Sequence, residues 1–329
     1  MVTNKHRALR IFAVLTAIGS YLMLIVGAVV TKTGSGEGCG NSWPFCHGAL
    51  IPNSFPMETI IEYSHRIVSG GVGLLIVILT IWAWRSFPRS KRVKIFGFMS
   101  VFFVLLQGAL GALTVVFRGA FAKKAALSLH FGFSLICFAS VVLLAVHLFQ
   151  LKHGKKPEAE TAKIKSEKPV SHRFQYAVWG LAIYSYVVVY TGAFVRHMQA
   201  TMACGFEFPT CGKQYFPSLG NLEGIHMLHR YAGISLWFLT LVLLWGIIRY
   251  YRHREDLHKG AWLAFIFISL QAASGIMTVF SGGQVLLALL HTTIISIYFS
   301  ILCYLCMQAG WTKSRKTKSL DKETPVLQS

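Results

Sequence analysis

EYSHRIVSGGVGLLIVILTIWAW, residues 62–84, places a glutamate, a histidine and an arginine at the head of an otherwise uncharged apolar run. About 20 such residues cross a bilayer, and a backbone in hydrocarbon must satisfy its own hydrogen bonds, so the run reads as a transmembrane helix. The phrase returns at 225–248 as IHMLHRYAGISLWFLTLVLLWGII, with His229-Arg230 where His65-Arg66 stood. An ionisable side chain in a membrane span is costly and marks a functional site. Its repetition makes the fold and the chemistry one question.

Working outward, residues 26–141 overlay 191–302 at an offset of about 164. Val26-Gly27-Ala28 faces Thr191-Gly192-Ala193, Cys39 and Cys46 face Cys204 and Cys211, and Gln107-Gly108-Ala109 faces Gln271-Ala272-Ala273. His130 faces His291 after a three-residue slip. Eight apolar stretches carry these landmarks, near 11–30, 62–84, 95–117, 125–149, 174–195, 225–248, 261–280 and 285–308. The first follows Lys5, Arg7 and Arg10 like a signal peptide but exceeds the ~7–15 residues of such a segment, so it reads as an uncleaved helix. The expected fold is an all-α integral membrane protein whose eight transmembrane helices form two pseudo-symmetric four-helix bundles. An even number of spans per repeat implies an axis along the membrane normal.

With 54% hydrophobic and 13% charged residues, the chain is excluded from the ordinary soluble classes. A net charge of +20 would suggest nucleic acid in a soluble protein, but orientation accounts for it here. Of the 32 Lys and Arg, 24 fall in the N-terminus, the 85–94, 150–173 and 249–259 loops and the tail, all on one side. By the positive-inside rule that side is the cytoplasm, which predicts a multi-pass cell-membrane protein with both termini inside, in contact with lipid and not with nucleic acid. The expected organisation is an amino-terminal bundle at 1–150, a polar cytoplasmic linker at 151–172, a carboxy-terminal bundle at 173–310 and a tail at 311–329.

In each half, two histidines lie near the outer ends of the second and fourth helices: His65 with His130, and His229 with His291. Facing each other across a bundle core, each pair would bind a haem iron from both sides. Zinc is the rival metal, but a closed tetrahedral site needs third and fourth ligands that are absent nearby. The remaining histidines, including His47, His147 and His197, read as solvated or interfacial. Arg66 and Arg230 follow a proposed ligand and are placed to pair with haem propionates, or else to snorkel to the interface. Gly70, Gly71, Gly108, Gly111 and Gly275 would let helices or a flat macrocycle approach closely.

The halves differ beside the first histidine. Glu62 precedes His65 by three residues, whereas His226 precedes His229. Thr59-Ile60-Ile61-Glu62 fits a helix capping box, which gives the carboxylate a purely structural role. The functional alternative places Glu62 at the reactive edge of a macrocycle, moving protons or stabilising a developing cation. The first half is then catalytic and the second handles electrons.

Both cysteine pairs fall in loops read as external, where disulfides form and persist. Closing each eight-residue ring is worth about 2.5 kcal/mol in the chain-entropy model. A structural bond is expected for Cys204 and Cys211, while structural and redox roles stand side by side for Cys39 and Cys46. Cys137, Cys303 and Cys306 lie within helices and read as small buried hydrophobes.

The run Thr31–Gly40, then Trp43-Pro44-Phe45-Cys46-His47-Gly48, Glu62-Tyr63-Ser64-His65-Arg66 and Tyr190–His197 resembles heme A synthase of the Gram-positive bacterial type, over nearly the whole chain. The resemblance implies an eight-helix enzyme that oxidises the C8 methyl of haem O to a formyl group, supplying haem A to terminal oxidases. It implies that His65 and His130 frame the haem O site, that His229 and His291 hold a haem b cofactor, and that Glu62 is the catalytic glutamate. It also implies paired external cysteines and delivery of haem O by a haem O synthase, with the electron acceptor unidentified. The leading alternative is a di-haem b-type cytochrome passing electrons between quinone and an external acceptor, against which the single Glu62 argues. A thiol-disulfide relay explains the cysteines but not the histidines, and a transporter lacks broken-helix signals.

Overall fold

The computed structural model describes residues 2–116, 120–151 and 170–310. Most of the proposed linker and the whole of the tail lie outside them. Eight α-helices follow in order: α1 (Val2–Lys32), α2 (Met57–Ser86), α3 (Lys91–Val116), α4 (Ala120–Gln150), α5 (His172–His197), α6 (Leu222–Tyr250), α7 (Glu255–Phe280) and α8 (Val285–Ala309). All eight contain windows long and apolar enough to span a membrane. The helices outrun the apolar runs read from the sequence because their polar ends stay helical; α2, for instance, begins five residues before Glu62. Among the described residues the only β pairing is two isolated bridges in loops.

Within each quartet the same neighbours touch. Helices α1–α2, α2–α3, α3–α4 and α4–α1 pack together, as do α5–α6, α6–α7, α7–α8 and α8–α5. This is consistent with the repeat. The quartets meet where α4 lies against α5 and α8 and α1 lies against α8. One apolar cluster crosses that seam, combining Leu24, Leu135 and Phe138 with Leu236, Tyr298 and Leu302, while a second fills the amino-terminal quartet around Leu9, Ile76 and Leu144. Outward-facing Ile, Leu and Phe side chains stay exposed, as lipid contact requires.

Helix starts are set by local chemistry. Ser171 caps α5 by accepting from the Phe174 N–H, and Asn221 caps α6 by accepting from the Gly224 N–H at 2.9 Å. No side chain caps α2, which follows Pro56. Thr59 and Glu62 therefore do not form the capping box that their spacing suggests. Thr59 instead donates to the carbonyl of Gly38, in the preceding loop.

A candidate two-haem site

Each proposed ligand is backed by a glycine. A Cβ on Gly27 would sit 2.9 Å from the His65 ring, and one on Gly192 would sit 2.8 Å from His229. Gly111 and Gly275 approach His130 and His291 in the same way, at 3.5 and 3.1 Å. These pairings follow the sequence repeat. Gly70, Gly71 and Gly108, expected to admit close approach, meet no heavy atom within 4 Å. All four histidines are part-buried as residues.

In the carboxy-terminal half the pair is brought together. The rings of His229 and His291 lie 6.5 Å apart, centre to centre, at 83°. That separation is of the order two imidazoles need to share one metal ion at bonds of about 2 Å, and His291 Nε2 meanwhile accepts from the Gln271 side-chain amide at 2.9 Å. Both line an apolar cavity of about 440 Å³, in the range of small-molecule sites, walled by Val188, Trp237, Ile268 and Ile295. Among the described residues no three His, Cys, Asp or Glu gather as a closed metal site would require, which counts against zinc. An apolar slot with two facing imidazoles and a polar, cationic rim suits a haem. In the amino-terminal half His65 lies within electrostatic range of His130.

Second contacts orient the rings. His130 Nδ1 lies 2.8 Å from the Gln107 carbonyl, which can only accept, so Nδ1 carries the proton and Nε2 the free lone pair. Thr191 donates its hydroxyl proton to the Val188 carbonyl and accepts from His229 Nδ1 at 2.8 Å. Ser274 donates to the Gln271 carbonyl and accepts from His291 Nδ1 at 2.9 Å.

Glu62 is 5% exposed and both its oxygens are engaged. Oε2 accepts from the Cys39 N–H at 2.8 Å and Oε1 pairs with Arg66 at 2.5 Å. Arg66 also donates to the Phe45 carbonyl at 2.5 Å, so it clamps the disulfide loop onto α2. Arg230 repeats the clamp on the Thr210 carbonyl at 3.0 Å. Because His226 stands where a carboxylate would, Arg230 Nη2 is buried without a hydrogen-bond partner on the cavity wall. The expectation of propionate contact thus suits Arg230 better than Arg66, whose fork is occupied by Glu62 and the loop.

Sequence reasoning missed the rest of that cationic rim. Lys32 and Arg196 line the same cavity, and Arg196 Nε is buried without a partner. Their signal was available: both are basic residues at the helix ends opposite the basic loops, against the trend of the other Lys and Arg. His197 and His226 also line the cavity. His147, read as interfacial, is instead 3% exposed and reaches Ser90 Oγ at 3.3 Å. His47 fits the exposed reading, although its Nε2 contacts the Gly38 carbonyl at 2.9 Å.

Both expected disulfides are present, Cys39–Cys46 and Cys204–Cys211. Each second cysteine opens a two-residue hairpin, Cys46 to Ala49 and Cys211 to Gln214. The central residues His47-Gly48 and Gly212-Lys213 all have positive φ, as a type I′ turn demands. Cys137 and Cys306 are buried and Cys303 partly so.

Residues 10–303 match the family described as cytochrome oxidase assembly protein, COX15-CtaA. The chain belongs to this family. Among its relatives, the heme A synthase of Alkalihalophilus pseudofirmus is 44% identical over 305 residues, covering 92% of this chain and 97% of its own. That of Halalkalibacterium halodurans is 43% identical over 302 residues, with the same coverage. That of Bacillus mycoides is 38% identical over 321 residues, covering 97% and 99%. Membership of the COX15-CtaA family, with these relatives, identifies the chain as a multi-pass membrane oxidoreductase of haem metabolism, with haem O as its substrate.

Proposed function

We propose that this chain is a heme A synthase in which the amino-terminal quartet, residues 1–150, holds haem O between His65 and His130, and the carboxy-terminal quartet, 173–310, holds haem b between His229 and His291. The observation that carries the two-site reading is the His229–His291 pair facing one apolar cavity, inside a repeat that duplicates both histidines and their glycines. Bound haem b would supply one-electron redox chemistry. Protein groups do the rest. Lys32, Arg196 and Arg230 offer a cationic rim for propionates, and the apolar walls exclude water.

Turning the methyl into a formyl group takes two successive two-electron oxidations, balanced when each takes an oxygen atom from water and passes its two electrons to an external acceptor, through an alcohol and a geminal diol that loses water. Each removes protons as well as electrons. Glu62, one helical turn before His65 and unmatched in the other half, is the proposed proton acceptor. In this reading the electron acceptor is external to these residues, a haem O synthase delivers haem O, and the basic loops favour cytoplasmic termini in a cell-membrane protein.

Extraction and chromatography of haem from purified protein tests the reading. Haem B together with haem O, haem A or a hydroxylated intermediate supports it, whereas haem B alone favours the di-haem cytochrome. Glu62→Gln is expected to retain haem while haem A formation drops about 10²–10⁴-fold, the usual range for a general acid–base group. Normal haem A yield from that variant would remove Glu62 from the mechanism.

A further inference from the structure

The four ligands are not supported alike. His229 and His291 rest on hydroxyls, Thr191 and Ser274, and His130 rests on the Gln107 carbonyl. His65 Nδ1 is buried with no hydrogen-bond partner. The repeat gives the reason. Val26 occupies the place of Thr191 and Leu110 that of Ser274, so the amino-terminal half carries neither hydroxyl.

We infer that the groups behind Nδ1 decide which half keeps its haem and which exchanges it: Thr191 and Ser274 are positioning residues that lock the carboxy-terminal ligands, and Val26 leaves His65 as the releasable one. This rests on the two-haem reading above. An acceptor on Nδ1–H fixes the tautomer that aims the Nε2 lone pair at a metal, stops ring rotation and raises ligand basicity. His65 has none of these supports. With no hydrogen bond at Nδ1, either tautomer is open to its ring. The asymmetry matches what each half must do, because a substrate has to leave as product and a cofactor has to stay. Glu62 does not supply the missing acceptor for His65 Nδ1, its oxygens accepting from the Cys39 N–H and from Arg66 instead.

Haem transfer from the haem-loaded, detergent-solubilised protein to excess apomyoglobin tests this, together with redox titration of the retained haem. Wild type is expected to lose haem in a fast and a slow phase, and His229→Ala to lack the slow one. Thr191→Val, isosteric and so compatible with folding, should speed only the slow phase by about 10–100-fold, the usual cost of removing a ligand's supporting hydrogen bond. The midpoint potential of that haem should rise, because a less basic imidazole stabilises ferric iron less. Thr191→Ser should restore both. Val26→Thr should slow only the fast phase. A Thr191→Val protein with wild-type slow phase and potential overturns the inference while leaving two haems in place. A slow phase that survives His229→Ala overturns the two-haem reading, and the inference with it.

Discussion

A glycine packed against an imidazole is a steric statement about one atom. At Gly192 a methyl would lie 2.8 Å from His229 Cε1, closer than carbon atoms tolerate, so the ring has to turn. Gly192→Ala is therefore expected to abolish most Soret absorbance of the carboxy-terminal haem in purified protein. Gly180→Ala, on the same helix but facing open space, should leave the spectrum unchanged. At this scale the sequence was readable where a residue type carries a rare property. Histidines in hydrocarbon and one unmatched glutamate were visible without coordinates. Thr191 and Ser274 were not, because a hydroxyl in a membrane helix usually bonds its own preceding turn, as Thr16 and Ser20 do here. Only the cross-helix distance to a histidine sets the first two apart.

Among elements, the disulfide loops depend on their helices. Arg66 binds Glu62 and the Phe45 carbonyl, and Glu62 binds the Cys39 N–H, so one arginine joins α2 to both ends of the disulfide. Lysine lacks the planar fork that spans two such partners. Arg66→Lys should expose the 33–56 loop, and the readout is faster reduction of Cys39–Cys46 by dithiothreitol than in Arg230→Lys, where the arginine meets its carboxylate, Glu207, only at longer range. An equal rate in both variants would refute the distinction. Helix number was legible because the apolar runs are long and uninterrupted. Helix starts were less so: the motif at 59–62 satisfies a capping pattern, yet the loop before it supplies Gly38 as a competing acceptor and the helix begins earlier. Local pattern loses there to a contact 21 residues away.

For the molecule as a whole, the distribution of Lys and Arg sets an orientation that cysteine-labelling can check. Single cysteines introduced at Ser90 and Arg252 should react only after the membrane is made permeable, while one at Asn53 should react in intact cells. The opposite pattern would invert the topology. The repeat made the two quartets foreseeable, since matched landmarks survive in sequence. How the quartets join was hidden, because beside the shared apolar cluster it involves long-range contacts: Tyr21 Oη to Thr293 Oγ1 at 2.9 Å, Arg92 to the Met307 carbonyl at 3.2 Å and Arg196 to the Ala28 carbonyl at 2.5 Å.

That last contact has a mechanical side. Lys32 ends α1 and Arg196 lies in the last turn of α5, yet both face the cavity of the carboxy-terminal half, and Arg196 already grips α1. Like charges crowded at that junction push the two quartets apart unless an anion sits between them. A dianionic prosthetic group seated there would act as mortar, binding only the assembled form and raising its resistance to unfolding by about 4 kcal/mol at a thousandfold excess over its dissociation constant. Protein stripped of haem should accordingly melt at lower temperature in detergent than loaded protein, and neutralising Arg196 with glutamine should narrow that gap.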